Sequence, residues 1–128
     1  MAITEALPPF QIVDVNKAWT QLCGYTRKEA IGHTLKELLH GPETNTTVAR
    51  GLTTSLLQQA KHTNNNDNNE SGANVEYEAV LTNYRSDGQK FKNHIRVGKL
   101  TNETGDTTHF VGVFRKLSDN IYDLYANV

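Results

Sequence analysis

The chain has 128 residues, a length typical of one domain. Its formal net charge of −1 gives no case for direct contact with nucleic acid or with an anionic membrane. No apolar run approaches the roughly 18 residues that span a bilayer. No signal peptide is evident, and the single cysteine, Cys23, excludes an intramolecular disulfide. These features predict an intracellular protein, cytoplasmic or nuclear.

Two short strands are predicted at the start of the chain, over residues 2–6 and 11–15. The second of them alternates polar and apolar residues, which is the period of a half-buried strand. Pro8 and Pro9 stand between the two strands. Because proline lacks a backbone N–H and fixes φ, this stretch must form a turn or a sheet edge.

Local capping signals predict three short helices next. Asn16 can cap the first through its side-chain oxygen, and Gly24 ends it. Thr26, with Glu29 three residues further on, forms a capping box at the start of the second. The third short helix is predicted over residues 34–39.

A longer helix follows, capped by Thr44 or Asn45 and running to about Lys61. Its apolar residues recur at helical spacing, which predicts that one face packs on a core. These residues are Val48, Leu52, Leu56 and Leu57. Residues 62–74 are rich in asparagine and almost free of apolar side chains, so they cannot bury enough surface to become ordered. We expect them to form a disordered insertion.

Three more strands are predicted over residues 75–81, 91–100 and 109–117, joined by glycine-containing hairpin turns. Alternation places Phe91, Asn93, Ile95 and Val97 on one face of the second of these strands. In the third, Phe110, Gly112 and Phe114 share one face, and Val111 and Val113 lie on the other.

The end of the chain carries apolar residues at positions i, i+3, i+4 and i+7. This spacing predicts an amphipathic flanking helix over residues 118–128, which is too short to be stable unless it packs against something else. Its apolar face comprises Ile121, Leu124, Tyr125 and Val128.

Two motifs in this order of elements resemble the PAS domain family. Residues 12–19, IVDVNKAW, resemble the family's second strand leading into an Asn-x-Ala-aromatic helix start. Residues 24–32, GYTRKEAIG, resemble its Gly-Tyr-x-x-x-Glu segment that ends in glycine. The resemblance implies an α+β PAS fold over residues 1–117, in which helices pack on one face of a five-stranded antiparallel sheet.

Three further motifs resemble the light-oxygen-voltage (LOV) branch of that family, whose members bind flavin. They are GPET at residues 41–44, NYRSDG at 83–88 and FKN at 91–93. In the LOV branch, the asparagines of the last two motifs bond the polar edge of the flavin ring. The resemblance therefore implies Asn83 and Asn93 as candidates for binding FMN or FAD, since an amide offers both a donor and an acceptor. An asparagine on a strand can equally bond neighbouring backbone.

The sequence departs from the LOV pattern where the photochemistry takes place. Leu35 or Lys36 stands where LOV domains carry their photoreactive cysteine, and the two arginines that clamp the flavin phosphate align with Thr53 and with Lys36 or Glu37. The glutamine of the last strand aligns with Phe114. We interpret Leu35, Phe91 and Phe114 as side chains that partly or wholly close the cavity, although each could also be ordinary core.

The favoured function is a PAS sensory and dimerisation module of a larger signalling or transcription regulator, without LOV photochemistry and without a cofactor. The partner would be a second copy or another PAS-containing protein, with the 121–128 face in the interface. The alternative is a sensor that binds flavin or another small molecule. The sequence contains no nucleophile–base set, metal-ligand spacing or phosphate loop, so we expect neither an enzyme nor a metal site.

Overall fold

The computed structural model describes residues 1–61 and 75–118. The elements in chain order are β1 (Ala2–Glu5), β2 (Ile12–Val15), α1 (Lys17–Cys23), α2 (Arg27–Ala30), α3 (Leu35–Leu39), α4 (Thr46–Lys61), β3 (Val75–Tyr84), β4 (Lys90–Thr101) and β5 (Thr107–Leu117). The predicted insertion at 62–74 lies outside the described residues. The same holds for residues 119–128 of the predicted flanking helix, which include all four residues of its apolar face.

The five strands form one antiparallel sheet in the order β2-β1-β5-β4-β3. Strand β1 pairs with β5, with Ile3 opposite Val111, and so brings the start of the chain beside its last described strand. The helices pack on one face of this sheet, which we call the inner face. The predicted fold class, an α+β fold of the PAS type, is confirmed.

The local signals that predicted the helix boundaries are present as hydrogen bonds. The Asn16 side chain accepts from the Trp19 N–H at 3.0 Å, and Gly24 ends α1 with a left-handed φ of 85°. At the start of α4, the Val48 N–H donates to Asn45 Oδ1 at 3.0 Å. Asn45, rather than Thr44, is therefore the cap of the long helix.

The core consists of two clusters against the inner face. The first cluster contains Ala2, Ile12, Val15, Trp19, Cys23, Ala30, Leu39 and Phe91. The second contains Ala6, Leu56, Leu81, Ile95, Val97 and Phe110. The predicted apolar stripe of α4 is one residue too wide, because Leu57 is 37% exposed. Consecutive helical residues point about 100° apart, so Leu56 and Leu57 cannot both face the sheet.

Candidate functional site

Asn83 and Asn93 form a buried pair on the inner face. Strand pairing places Leu81 opposite Asn93 and Asn83 opposite Phe91, so the two amides are diagonal neighbours across β3 and β4. Asn93 is fully buried and Asn83 is 3% exposed. Both come from the motifs that the LOV resemblance singled out, and the fold brings them together.

The hydrogen bonds of this amide pair stay within the protein. Asn93 Nδ2 donates to Asn83 Oδ1 at 2.9 Å, and Asn93 Oδ1 accepts from the Arg115 backbone N–H at 3.2 Å. Asn83 Nδ2 in turn donates to the Leu39 carbonyl at 3.3 Å. Each amide oxygen and nitrogen thus has a protein partner, and the pair ties β3, β4, β5 and the end of α3 together.

Two of the three predicted pocket-filling residues are aromatic side chains in the core. Phe91 is buried in the first cluster, and Phe114 packs against both clusters. The Phe114 ring stands edge-on to the Trp19 ring, with centroids 6.4 Å apart. Phe114 therefore lies where the two clusters meet. That these rings close a ligand cavity stays a prediction.

A cavity of about 430 Å³ lies between the inner face, α3, α4 and the turn after β1. This volume falls in the range of small-molecule sites. Its apolar walls include Phe10, Leu52, Leu56, Ile95, Val97 and Phe110. Leu35, the third predicted pocket-filling residue, lines it as well. Phe91, Phe114 and the amide pair are not among the described residues that line it.

Positive charge collects where the cavity meets solvent. Lys36 on α3 and Arg50 on α4 are both exposed and both line it, and no described lining residue is acidic. His40 lines it too. Burial and, to a smaller extent, the nearby Lys36 ammonium lower the pKa of His40, which favours its neutral form. The comparison with the LOV motifs considered Lys36 only as a replacement for a lost cysteine or a lost arginine, and it missed Arg50. The signal available was helical spacing, since Arg50 lies three residues before Thr53 on one helix face.

Cys23 is held in the core at the end of α1. It is fully buried, belongs to the first cluster, and is not among the described residues that line the cavity. Burial raises the pKa of the Cys23 thiol to about 12, despite an opposing effect from the Arg85 charge. A thiol that stays protonated at neutral pH is a poor nucleophile, and the Cys23 side chain is part of the packed core.

The outer face of the sheet exposes apolar side chains. Val80, Leu100 and Val113 are 46%, 43% and 50% exposed, and strand alternation directs them away from the helices. Charged groups lie beside them: Glu78 Oε2 is 3.7 Å from Arg96 Nε. An apolar surface bordered by charge is typical of a protein–protein contact.

Within the described parts of the chain, no group of three or more His, Cys, Asp or Glu side chains is placed to hold a metal ion. Of the helices that the structure describes, none is long and apolar enough to cross a bilayer.

Comparison with known proteins gives a consistent result. A family model for the PAS domain matches residues 1–119. The bacterioopsin transcriptional activator of Halobacterium salinarum is 26% identical over 122 residues, covering 94% of this chain and 16% of that protein. Blue-light-activated histidine kinase 1 of Erythrobacter litoralis is 32% identical over 106 residues, covering 82% of this chain and 25% of the kinase. The chain thus corresponds to a small part of each of these two relatives.

A solved structure matches the fold over almost the whole chain. The light-state structure of the blue-light photoreceptor Aureochrome1 LOV matches with a TM-score of 0.75 at 27% sequence identity. The match covers 98% of this chain and 87% of that one.

Proposed function

This chain belongs to the PAS domain family, and on that basis we propose that it is the dimerising module of a larger signalling or transcription regulator and forms no LOV-type flavin adduct. It is a sensory domain of the PAS/LOV kind, related to parts of a kinase and of a transcription activator. The partner is a second copy or another PAS-containing protein.

The absence of adduct chemistry is supported by the position of the only thiol. Cys23 is the single cysteine of the chain, and it is buried beside Trp19 rather than placed on the cavity wall. Leu35 and Lys36, the residues aligned with the photoreactive cysteine, carry no group that could bond covalently to a flavin. Light could therefore excite a bound flavin without forming a cysteinyl adduct.

The observation that carries the dimerisation proposal is the exposed apolar surface of the sheet. Val113 lies on β5, the middle strand, and half of it is exposed. Val111 is opposite Ile3 on the same face, which extends the apolar surface across β1. Covering such a surface with that of a second PAS domain would remove it from water, a favourable process that scales with the apolar area buried.

Sedimentation velocity of the wild type and of Val113→Lys tests this proposal. We expect the wild type to self-associate, and the lysine variant to dimerise at least about tenfold more weakly because a charge cannot be buried unpaired at an interface. Leu7→Lys is the matched control, because Leu7 is 71% exposed and lies outside the sheet. A wild type that stays monomeric alone and with PAS-containing partners would contradict the proposal, as would equal weakening by both variants.

A second candidate function, small-molecule sensing, is favoured by the cavity. A volume of about 430 Å³ with mostly apolar walls is that of a ligand site. Native mass spectrometry of the purified protein tests this candidate. Extra mass that is released on denaturation supports it, and a protein that binds no small molecule at all argues against it.

A further inference from the structure

We propose that the cavity binds a slim amphipathic anion: an aliphatic or single-ring body with one carboxylate or phosphate, whose charged end lies between Lys36 and Arg50. This inference rests on the second candidate function, that the cavity receives a small molecule, and it names the chemical class of that molecule. It is independent of the dimerisation proposal.

The inner part of the cavity suits an apolar body. Ile95, Val97 and Phe110 on the inner face are each less than 5% exposed, and Leu56 of α4 closes the opposite side. Thr4 is the buried polar residue of the lining, and its hydroxyl already donates to the Glu5 carbonyl at 3.1 Å. A ligand gains most there from burying hydrocarbon, at roughly 25 cal/mol per Å² of apolar surface.

The outer part of the cavity suits a negative charge. Lys36 and Arg50 come from two different helices and line the same cavity. Neither forms a salt bridge among the described residues, whereas Arg27 and Lys90 pair with carboxylates at 2.8 and 2.7 Å. Two cations without acidic neighbours in the lining leave a positive potential at the entrance, which favours an anionic ligand group.

A flavin fits this cavity less well than a slim anion does. The flavin ring has a polar edge that needs donors and acceptors, and a polar group buried without partners is costly. The amides that would serve that edge, Asn83 and Asn93, bond each other at 2.9 Å and are not among the described lining residues. Phe114 packs between the clusters at this end of the sheet.

The cavity volume is large enough for such a body. About 430 Å³ is close to three times the roughly 150 Å³ cavity that takes up one benzene molecule. A chain of about eight to ten carbons therefore fits, with its head group at the entrance. Octanoate and its neutral amide, octanamide, form a matched pair of probes, because they share a body and differ in the charge of the head group.

The test is a titration of the full chain with each probe. Binding is monitored through the amide chemical shifts of the protein and by calorimetry. We expect octanoate to bind about tenfold more tightly than octanamide, the difference produced by charge-assisted hydrogen bonds. The double variant Lys36→Gln/Arg50→Gln should lose this difference and keep octanamide binding. Both residues are exposed, so the variant should fold normally. Lys28→Gln removes an exposed lysine of α2 that does not line the cavity, and is the matched control.

Each other result overturns the inference in a recognisable way. Equal affinity for both probes, unchanged in the double variant, shows that the negative charge of the head group does not contribute to binding. Small-molecule binding itself then stands. Binding of neither probe removes the inference, and small-molecule sensing is then judged by mass spectrometry alone. FMN binding more tightly than octanoate identifies a flavin site, and also contradicts the inference.

Discussion

The amide pair shows at the scale of single residues how a feature that suggests ligand binding also holds the fold together. We expect Asn93→Leu to lower the free energy of unfolding by about 2–3 kcal/mol, because Asn83 Oδ1 and the Arg115 N–H lose their partner. Chemical denaturation measures the change. The double variant Asn83→Leu/Asn93→Leu should lose less than the sum of the two single variants. Strict additivity would show that the two amides do not stabilise each other.

Cys23 permits a test that needs no ligand. Because burial raises the pKa of its thiol to about 12, the folded protein should not react with a thiol reagent such as DTNB at pH 8. In denaturant the same thiol is exposed and should react completely within the mixing time. Rapid modification of the folded protein would mean that Cys23 is accessible, and would reopen the question of its reactivity.

Residue-level predictions from the sequence succeed where the signal is local. Asn16 as a helix cap follows from its own side chain and the three residues after it, and the structure confirms it. The mutual bonding of Asn83 and Asn93 depends on the register of β3 against β4, which no local pattern fixes. Arg50 was missed because the cavity that it lines is formed by several elements, and Lys36, the other exposed cation of the lining, belongs to another helix.

At the scale of elements, the hairpin between β3 and β4 is fastened to the end of α1. Arg85 donates through Nη1 to the Leu22 carbonyl at 2.6 Å and to the Gln21 carbonyl at 3.1 Å. Beside it, the Ser86 side chain donates to the Gly24 carbonyl at 2.7 Å. These bonds satisfy carbonyls that a helix end leaves without partners.

We therefore expect Arg85→Ala to lower the free energy of unfolding by about 1.5–3 kcal/mol, the range for hydrogen bonds to a charged group. Arg85→Lys should recover only part of this, because an ammonium cannot reproduce the geometry of the guanidinium. Arg115→Ala, an exposed arginine of β5, serves as the control in the same thermal and chemical unfolding measurements. Equal effects of Arg85→Ala and Arg115→Ala would show that the fastening contributes nothing.

The long helix shows why element positions are easier to predict than element packing. Helical periodicity located α4 within about two residues. From the sequence alone, Gly51 is only a residue that destabilises the helix. In the structure, a Cβ on Gly51 would lie 3.0 Å from the Tyr77 hydroxyl. The glycine thus lets α4 lie close to β3, a reason that depends on a residue of a distant strand.

At the scale of the whole molecule, motifs predicted the fold class but not how much of the cavity stays open. The five antiparallel strands follow from the PAS resemblance together with strand alternation, and the structure confirms them. The volume between helices and sheet depends on how far α3 and α4 stand from β4 and β5. That separation is set by packing in both clusters at once, so no pattern in one segment predicts it.

The central claim, a PAS domain of LOV type without LOV photochemistry, is tested most directly by an absorption spectrum. The purified chain is mixed with FMN, and spectra are taken in the dark and after blue light. We predict that blue light produces no reversible loss of the visible flavin band, whether or not flavin binds, because the single cysteine, Cys23, is buried in the core and is not among the described residues that line the cavity. A flavin band that bleaches in blue light and recovers in the dark, and that is lost in Cys23→Ala, would contradict the account.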